Sequence, residues 1–158
     1  MKEYIPSMIW SRLKCMVIVL LALFWSGQTA ALAGRREAIP GPVRASVLRV
    51  VDGDTFIAEA HIWPGQRITV SVRIRGVDAP ELRSRCAAEK AAARQAKAAL
   101  QVLLDGGTVW ISAISGGKYY GRVLADVETE PGGDVAARLL DAQLVAAYGG
   151  GRRVSFVC

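Results

Sequence analysis

Apolar and polar residues alternate along short stretches of this chain, which predicts a protein built mainly from β-strands. The clearest stretch is 67–75, where Ile and Val occupy every second position between Thr, Ser and Arg residues. A period of two is typical of a strand that buries one face. The same pattern, with turn-forming Gly, Pro and Asp between the stretches, predicts five strands: 43–50, 55–62, 67–75, 108–114 and 123–128.

Two other stretches have helical composition. Residues 85–104 are rich in alanine, contain no Gly or Pro and are followed by Asp105-Gly106-Gly107, which predicts a helix that stops at the glycines. Asp134 is a good N-cap for a second helix at 135–142. This order of elements favours an α+β, mainly β fold, a five-stranded OB-fold barrel with two or three helices, because closure removes exposed sheet edges.

Residues 1–33 have the layout of a secretory signal. Basic residues precede an apolar run at 15–25, and small residues lead to Ala33, after which we expect cleavage. The run is shorter than the about 20 residues of a membrane-spanning helix, so we expect no permanent membrane span; an uncleaved anchor is the alternative. Cleavage would leave a short lead, 34–42, and one domain, 43–158, in a periplasmic or secreted monomer.

Charge and cysteine content refine this picture. The chain carries 20 Lys and Arg against 14 Asp and Glu, and beyond residue 33 most of its cations are arginine. Guanidinium forks pair well with phosphate oxygens, so a nucleic-acid-binding role for these arginines is favoured over surface salt bridges alone.

Cys86 and Cys158 are the cysteines left after the signal. In an exported protein they predict a disulfide, with two free thiols as the alternative.

Three polar segments interrupt the predicted strands, at 52–55, 73–81 and 120–122. Oxygen-rich clusters bind hard divalent cations, and arginine holds phosphate, so together they point to phosphodiester chemistry around a metal ion. Three carboxylates and two guanidinium groups of these segments are the candidate site residues, in chain order Asp54, Arg73, Asp78, Glu81 and Arg122.

Each of these residues alone has a plainer interpretation. Asp52-Gly53 is a strong hairpin signal, and Asp78 and Glu81 could flank a proline turn and cap the next helix. An arginine on an alternating strand could simply face solvent. Their occurrence together, in this order and spacing, favours a functional site.

In this order and spacing the three segments resemble those of the staphylococcal-nuclease-like (thermonuclease) family, and the resemblance extends over 43–148. It implies an OB-fold barrel and calcium-dependent hydrolysis of DNA and RNA. It further implies that Asp54, Asp78 and the backbone carbonyl of Ala79 bind Ca²⁺. Arg73 and Arg122 match the phosphate-binding arginines of the family.

The resemblance also implies roles near the substrate. Glu81 matches the carboxylate that activates or orients the attacking water, and Tyr120 matches a tyrosine beside the second arginine. Tyr148 lies one position away from another substrate-contacting tyrosine, and plain packing is the alternative for it. The sequence departs from the family at Gly117 and Lys118, where an aspartate is usual. The stretch between Glu81 and the first helix is also short.

Two classes of function follow. One is a secreted or periplasmic calcium-dependent endonuclease, a phosphodiesterase acting on DNA and RNA without a stable protein partner. The other is a non-catalytic OB-fold module that binds polyanions or a partner protein. The three carboxylates favour the enzyme, because a polyanion binder gains nothing from acids beside its phosphate site.

Overall fold

The computed structural model describes residues 38–105, 107–117, 121–130, 132–153, 156 and 158. These residues belong to one unit, Arg36–Cys158. The predicted signal at 1–33 and the first part of the predicted lead lie outside the described residues. None of the helices in the described ranges is long and apolar enough to cross a membrane.

The described chain forms eight strands and two helices. The strands are β1 (Ala38–Ile39), β2 (Val43–Val50), β3 (Thr55–Trp63), β4 (Gln66–Ile74), β5 (Val77–Asp78), β6 (Thr108–Gly116), β7 (Arg122–Thr129) and β8 (Ala146–Ala147). The helices are α1 (Ala87–Leu103), between β5 and β6, and α2 (Val135–Asp141), between β7 and β8.

Five strands close into a barrel. The order is β6-β2-β3-β4-β7, and β7 pairs back onto β6. All neighbours are antiparallel except β4 and β7, which run parallel. This is the mainly β, α+β barrel of the OB type that the alternation predicts, since full closure leaves no free sheet edge.

The five barrel strands and both helices lie within two residues of their predicted bounds. Asp134 caps α2 as expected, accepting from the amides of Ala136 at 2.7 Å and Ala137 at 3.2 Å. The sequence did not predict the two-residue strands β1, β5 and β8, which are too short to show a period. Ile68 was expected in the core but is 45% exposed, because the far end of the β3–β4 hairpin carries its apolar residues into solvent.

The core fills the barrel and the space beneath α1. The helix buries Ala93, Ala96 and Leu100 on one face, and small alanines let it approach closely. The turn between β2 and β3 packs against this face. A Cβ added to Gly53 would lie 2.6 Å from the Cβ of Ala96 and 2.9 Å from that of Ala79. Glycine at 53 is therefore required by packing, in addition to its suitability for a turn.

Gly53→Ala is expected to destabilise the protein by about 1–3 kcal/mol, the usual effect of overpacking a tight contact. Urea unfolding measures the change. The matched control is Gly116→Ala, because a Cβ at 116 meets nothing within 4 Å and should leave stability unchanged. Equal stability of the two variants would show that the turn does not depend on contact with α1.

Candidate active site

The β2–β3 turn directs one of its two aspartates inward. The amides of Val51 and Asp52 both donate to the carbonyl of Thr55, at 2.9 and 3.2 Å, and Asp52 Oδ1 accepts from the amide of Asp54 at 3.2 Å. Asp52 thus stabilises the turn, which is the role that an Asp-Gly pair alone would predict. Asp54 instead has its carboxylate inside the protein, with 2% of its surface exposed.

Asp54 is held by three donors. Its Oδ1 accepts from Thr55 Oγ1 at 2.7 Å and from Arg73 Nη1 at 2.9 Å. Its Oδ2 accepts from the backbone amide of Ala79 at 3.0 Å. Since a buried carboxylate is stable only when it is hydrogen-bonded and paired, this arrangement fixes both oxygens.

Arg73 joins the two buried aspartates. The register of β3 and β4 pairs Thr55 with Arg73, which places the guanidinium beside Asp54. After the turn at 75–76 the chain enters β5, and Asp78, fully buried, accepts from Arg73 Nη2 at 2.8 Å. One planar cation therefore lies between two acids that are far apart in sequence.

Burial raises the pKa of Asp54 from its ordinary 3.8 to about 6, and the neighbouring Arg73 partly opposes this rise in pKa. The desolvation of a carboxylate favours its neutral form, while a nearby guanidinium favours the charged form. Burial is the larger effect here.

Glu81 lies at the outer edge of the same cluster. Its amide donates to Glu89 Oε1 of α1 at 3.1 Å, which ties the loop to the helix, and about half of its side chain is exposed. Its carboxylate pairs with Arg153 Nη1. The short loop after Glu81, noted from the sequence, is thus anchored by α1.

Arg153 is the residue of this site that sequence reasoning missed. Its Nε and Nη2 donate to the two carboxylate oxygens of Asp78, at 3.2 and 3.0 Å. Its Nη2 also donates to the carbonyl of Ala79 at 3.0 Å. The predicted disulfide was a usable signal, because Cys158 follows Arg153 by five positions and Cys86 follows Glu81 by five.

Arg122 lies at the start of β7, next to the strand that carries Arg73. It pairs in parallel register with Ser71, two positions before Arg73, so Arg122, Ser71 and Arg73 lie on the same sheet face. Its carbonyl accepts from the amide of Gly117 at 2.8 Å. A Cβ at 117 would lie 2.7 Å from that oxygen, so a side chain at 117 would require the two segments to move apart.

Of the two tyrosines that are predicted to contact substrate, the structure describes Tyr148 and not Tyr120. Tyr120 lies outside the described residues. Tyr148 follows β8, donates its amide to the carbonyl of Gly76 at 2.8 Å, and donates its hydroxyl to the carbonyl of Gly151 at 2.7 Å. Tyr148 therefore shapes the segment that leads to Arg153, and its contact with substrate stays a prediction.

The structure joins Cys86 and Cys158 in a disulfide, as the sequence predicts, with Cα atoms 5.7 Å apart. That separation is within the usual range. Cys86 is the N-cap residue of α1. The bond therefore attaches residue 158 to the loop that carries Glu81.

The oxygens of this cluster suit a hard divalent cation. Asp54 and Asp78 contribute carboxylates and Ala79 a carbonyl, the donor types that Ca²⁺ prefers. Among the residues that the structure describes, no group of three or more His, Cys, Asp or Glu side chains converges on one point. A calcium ion here would thus depend on two acids, a carbonyl and oxygens from outside the protein.

Comparison with known proteins agrees with this geometry. The sequence model of the staphylococcal nuclease homologue family matches residues 71–150, half of the chain, and the chain belongs to this family. The matched range includes Arg73, Asp78, Glu81 and Arg122 and begins after Asp54. A search of curated proteins found no match. Family and barrel together define a nuclease-like or OB-fold nucleic-acid-binding domain.

The raised pKa of Asp54 makes stability depend on pH. Between pH 3.8 and about 6 the folded protein keeps a proton that the unfolded chain has lost, so this group lowers the free energy of unfolding as pH rises. Asp54→Asn removes the titration. The stability of the wild type relative to this variant should fall by about 3 kcal/mol between pH 3.5 and 7, measured by urea unfolding with a chelator present. A difference that is constant with pH would contradict the assignment.

Proposed function

We propose that this protein is an exported calcium-dependent nuclease that hydrolyses the phosphodiester bonds of DNA and RNA. The observation that carries the proposal is the bridge from Asp54 through Arg73 to Asp78, with Glu81 three residues further along the chain. Four groups from two separate segments, 52–55 and 73–81, lie in one cluster. A chance set of turn aspartates and solvated arginines would not be buried together in this way.

Asp54, Asp78 and the Ala79 carbonyl would hold calcium, which supplies positive charge next to the substrate phosphate. The remaining steps depend on side chains. Glu81, at the exposed edge of the cluster, would accept the proton of the attacking water. The water oxygen would then form a bond to phosphorus, the bond from phosphorus to the 5′ oxygen would break, and the 5′ oxygen would take up a proton from solvent water to leave as a hydroxyl group.

The arginines would stabilise the charge that develops during this attack. Negative charge grows on the equatorial oxygens of the five-coordinate phosphorus, and fixed guanidinium donors favour that state over the ground state. Arg122, on the same sheet face as Arg73, would bind phosphate from the barrel side. Arg73 is held by two buried carboxylates, so its orientation is set before substrate arrives.

A digestion assay tests the proposal directly. Purified protein should degrade single-stranded and double-stranded DNA, and RNA, when calcium is added, and EGTA should abolish the degradation. Cleavage is read by gel electrophoresis. Binding of the same nucleic acids without cleavage, at any calcium concentration, would instead identify a non-catalytic OB-fold module.

Glu81→Gln should lower kcat about 100- to 10,000-fold, the usual contribution of a general base. Calcium should still bind to this variant, as titration calorimetry would show, because Glu81 is not among the proposed ligands. Glu128→Gln on β7 is a matched control, since Glu128 is also exposed. Turnover of Glu81→Gln equal to that of the control would remove Glu81 from the mechanism.

A further inference from the structure

Arg153 holds the oxygens that were assigned above to the metal ion. It contacts both carboxylate oxygens of Asp78 and the carbonyl of Ala79, and it also pairs with Glu81. These are two of the three proposed calcium ligands and the proposed general base. Arg73 contacts Asp54 and Asp78 but makes none of the contacts to Ala79 O or Glu81.

We propose that Arg153 is an internal competitor for the metal site, so that calcium binds only when the guanidinium leaves Asp78 and Ala79. The proposal deepens the proposed function and rests on its assignment of the metal ligands. Arg153 and calcium need the same lone pairs on Asp78 Oδ2 and the Ala79 carbonyl, to which Arg153 donates, whereas the bond of Arg73 to Asp78 is to Oδ1. A calcium ion beside both guanidinium groups would add a further positive charge, and like charges at contact distance repel. Departure of Arg153 would at the same time free Glu81 to accept a proton.

The segment that carries Arg153 is attached to the domain on both sides of this residue. Before it, β8 pairs with β5, where Asp78 is opposite Ala146. The hydroxyl of Tyr148 then bonds to Gly151, and Gly150 and Gly151 have φ values of 101° and 93°, which only glycine adopts readily. After it, the Cys86–Cys158 disulfide fixes the end of the chain.

These attachments give Arg153 a high local concentration at the site. A tethered group competes far better than the same group free in solution. The apparent dissociation constant for calcium rises in inverse proportion to the fraction of molecules whose site is open. If Arg153 occupies the site in about nine molecules of ten, apparent affinity falls about tenfold.

Arg153 is also able to leave. Its side chain is 46% exposed, whereas that of Arg73 is 22% exposed. Ion pairs at such partly exposed positions are weak compared with buried pairs. The Cys86–Cys158 disulfide would limit how far the segment that carries Arg153 can move away from the site. We therefore expect reduction of this disulfide to weaken the competition of Arg153 with calcium without changing any charge near the site.

Calcium titration calorimetry without nucleic acid tests the proposal. Arg153→Gln removes the charge and leaves a shorter, uncharged polar side chain. Arg152→Gln is the control, because Arg152 is its exposed neighbour and the two substitutions change side-chain length and net charge identically. We expect calcium to bind Arg153→Gln about tenfold more tightly than the wild type, with little change in Arg152→Gln. In the wild type, Cys158→Ser should also tighten binding, and in Arg153→Gln it should have no further effect.

Since binding is the readout, failure of this proposal is distinguishable from failure of the proposed function. A selective gain in affinity in Arg153→Gln supports competition even if the protein cleaves no nucleic acid. Equal affinities of the wild type and Arg153→Gln, an equal gain in both arginine variants, or no calcium binding by any variant would overturn the proposal, even in an active nuclease. If Cys158→Ser does not fold, the comparison of the two arginine variants decides.

Discussion

The ion pair that joins Arg73 to Asp54 and Asp78 is the constraint on which the site depends. Two carboxylates in the interior would repel each other and remain poorly solvated, and removing one partner of a buried pair typically costs about 3–5 kcal/mol. The strand register of the barrel supplies the counter-charge, because the start of β3, next to Asp54, pairs with the end of β4, which carries Arg73. Stability and the proposed chemistry therefore rely on the same guanidinium, and loss of activity in an Arg73 variant would not by itself identify a catalytic role.

The sequence predicts the barrel well because its strands are long enough to show a period, and α1 because alanine is so abundant there. It also predicts which acids and arginines belong together, through their resemblance to one family. It could not predict the pairing of β5 with β8, since two residues carry no periodic pattern and their partners are about seventy positions apart. Arg153 was missed for the same reason: its place depends on contacts between distant parts of the chain.

The departures from the family pattern have local physical causes. Gly117 is one of two positions at which the family usually has an aspartate, and its amide donates to the carbonyl of Arg122 at 2.8 Å. A side chain at 117 would push the two segments apart. The loop after Glu81 is short, but the amide of Glu81 is held by Glu89. In both places a hydrogen bond of the backbone amide holds the segment in position.

Arg73 and Arg153 both contact Asp78, but they differ in what they do for the site. Arg73 lies between two buried carboxylates on a central barrel strand, so removing it would leave both acids without their main counter-charge. Arg153 approaches the same Asp78 from the solvent side, on a segment that contains three successive glycines. Because Arg153 is more exposed than Arg73, our proposal assigns the exchange with calcium to Arg153 and not to Arg73. If Arg153 competes with calcium as proposed, such a site would keep its acids paired when calcium is scarce and would give up only the outer pair when calcium binds.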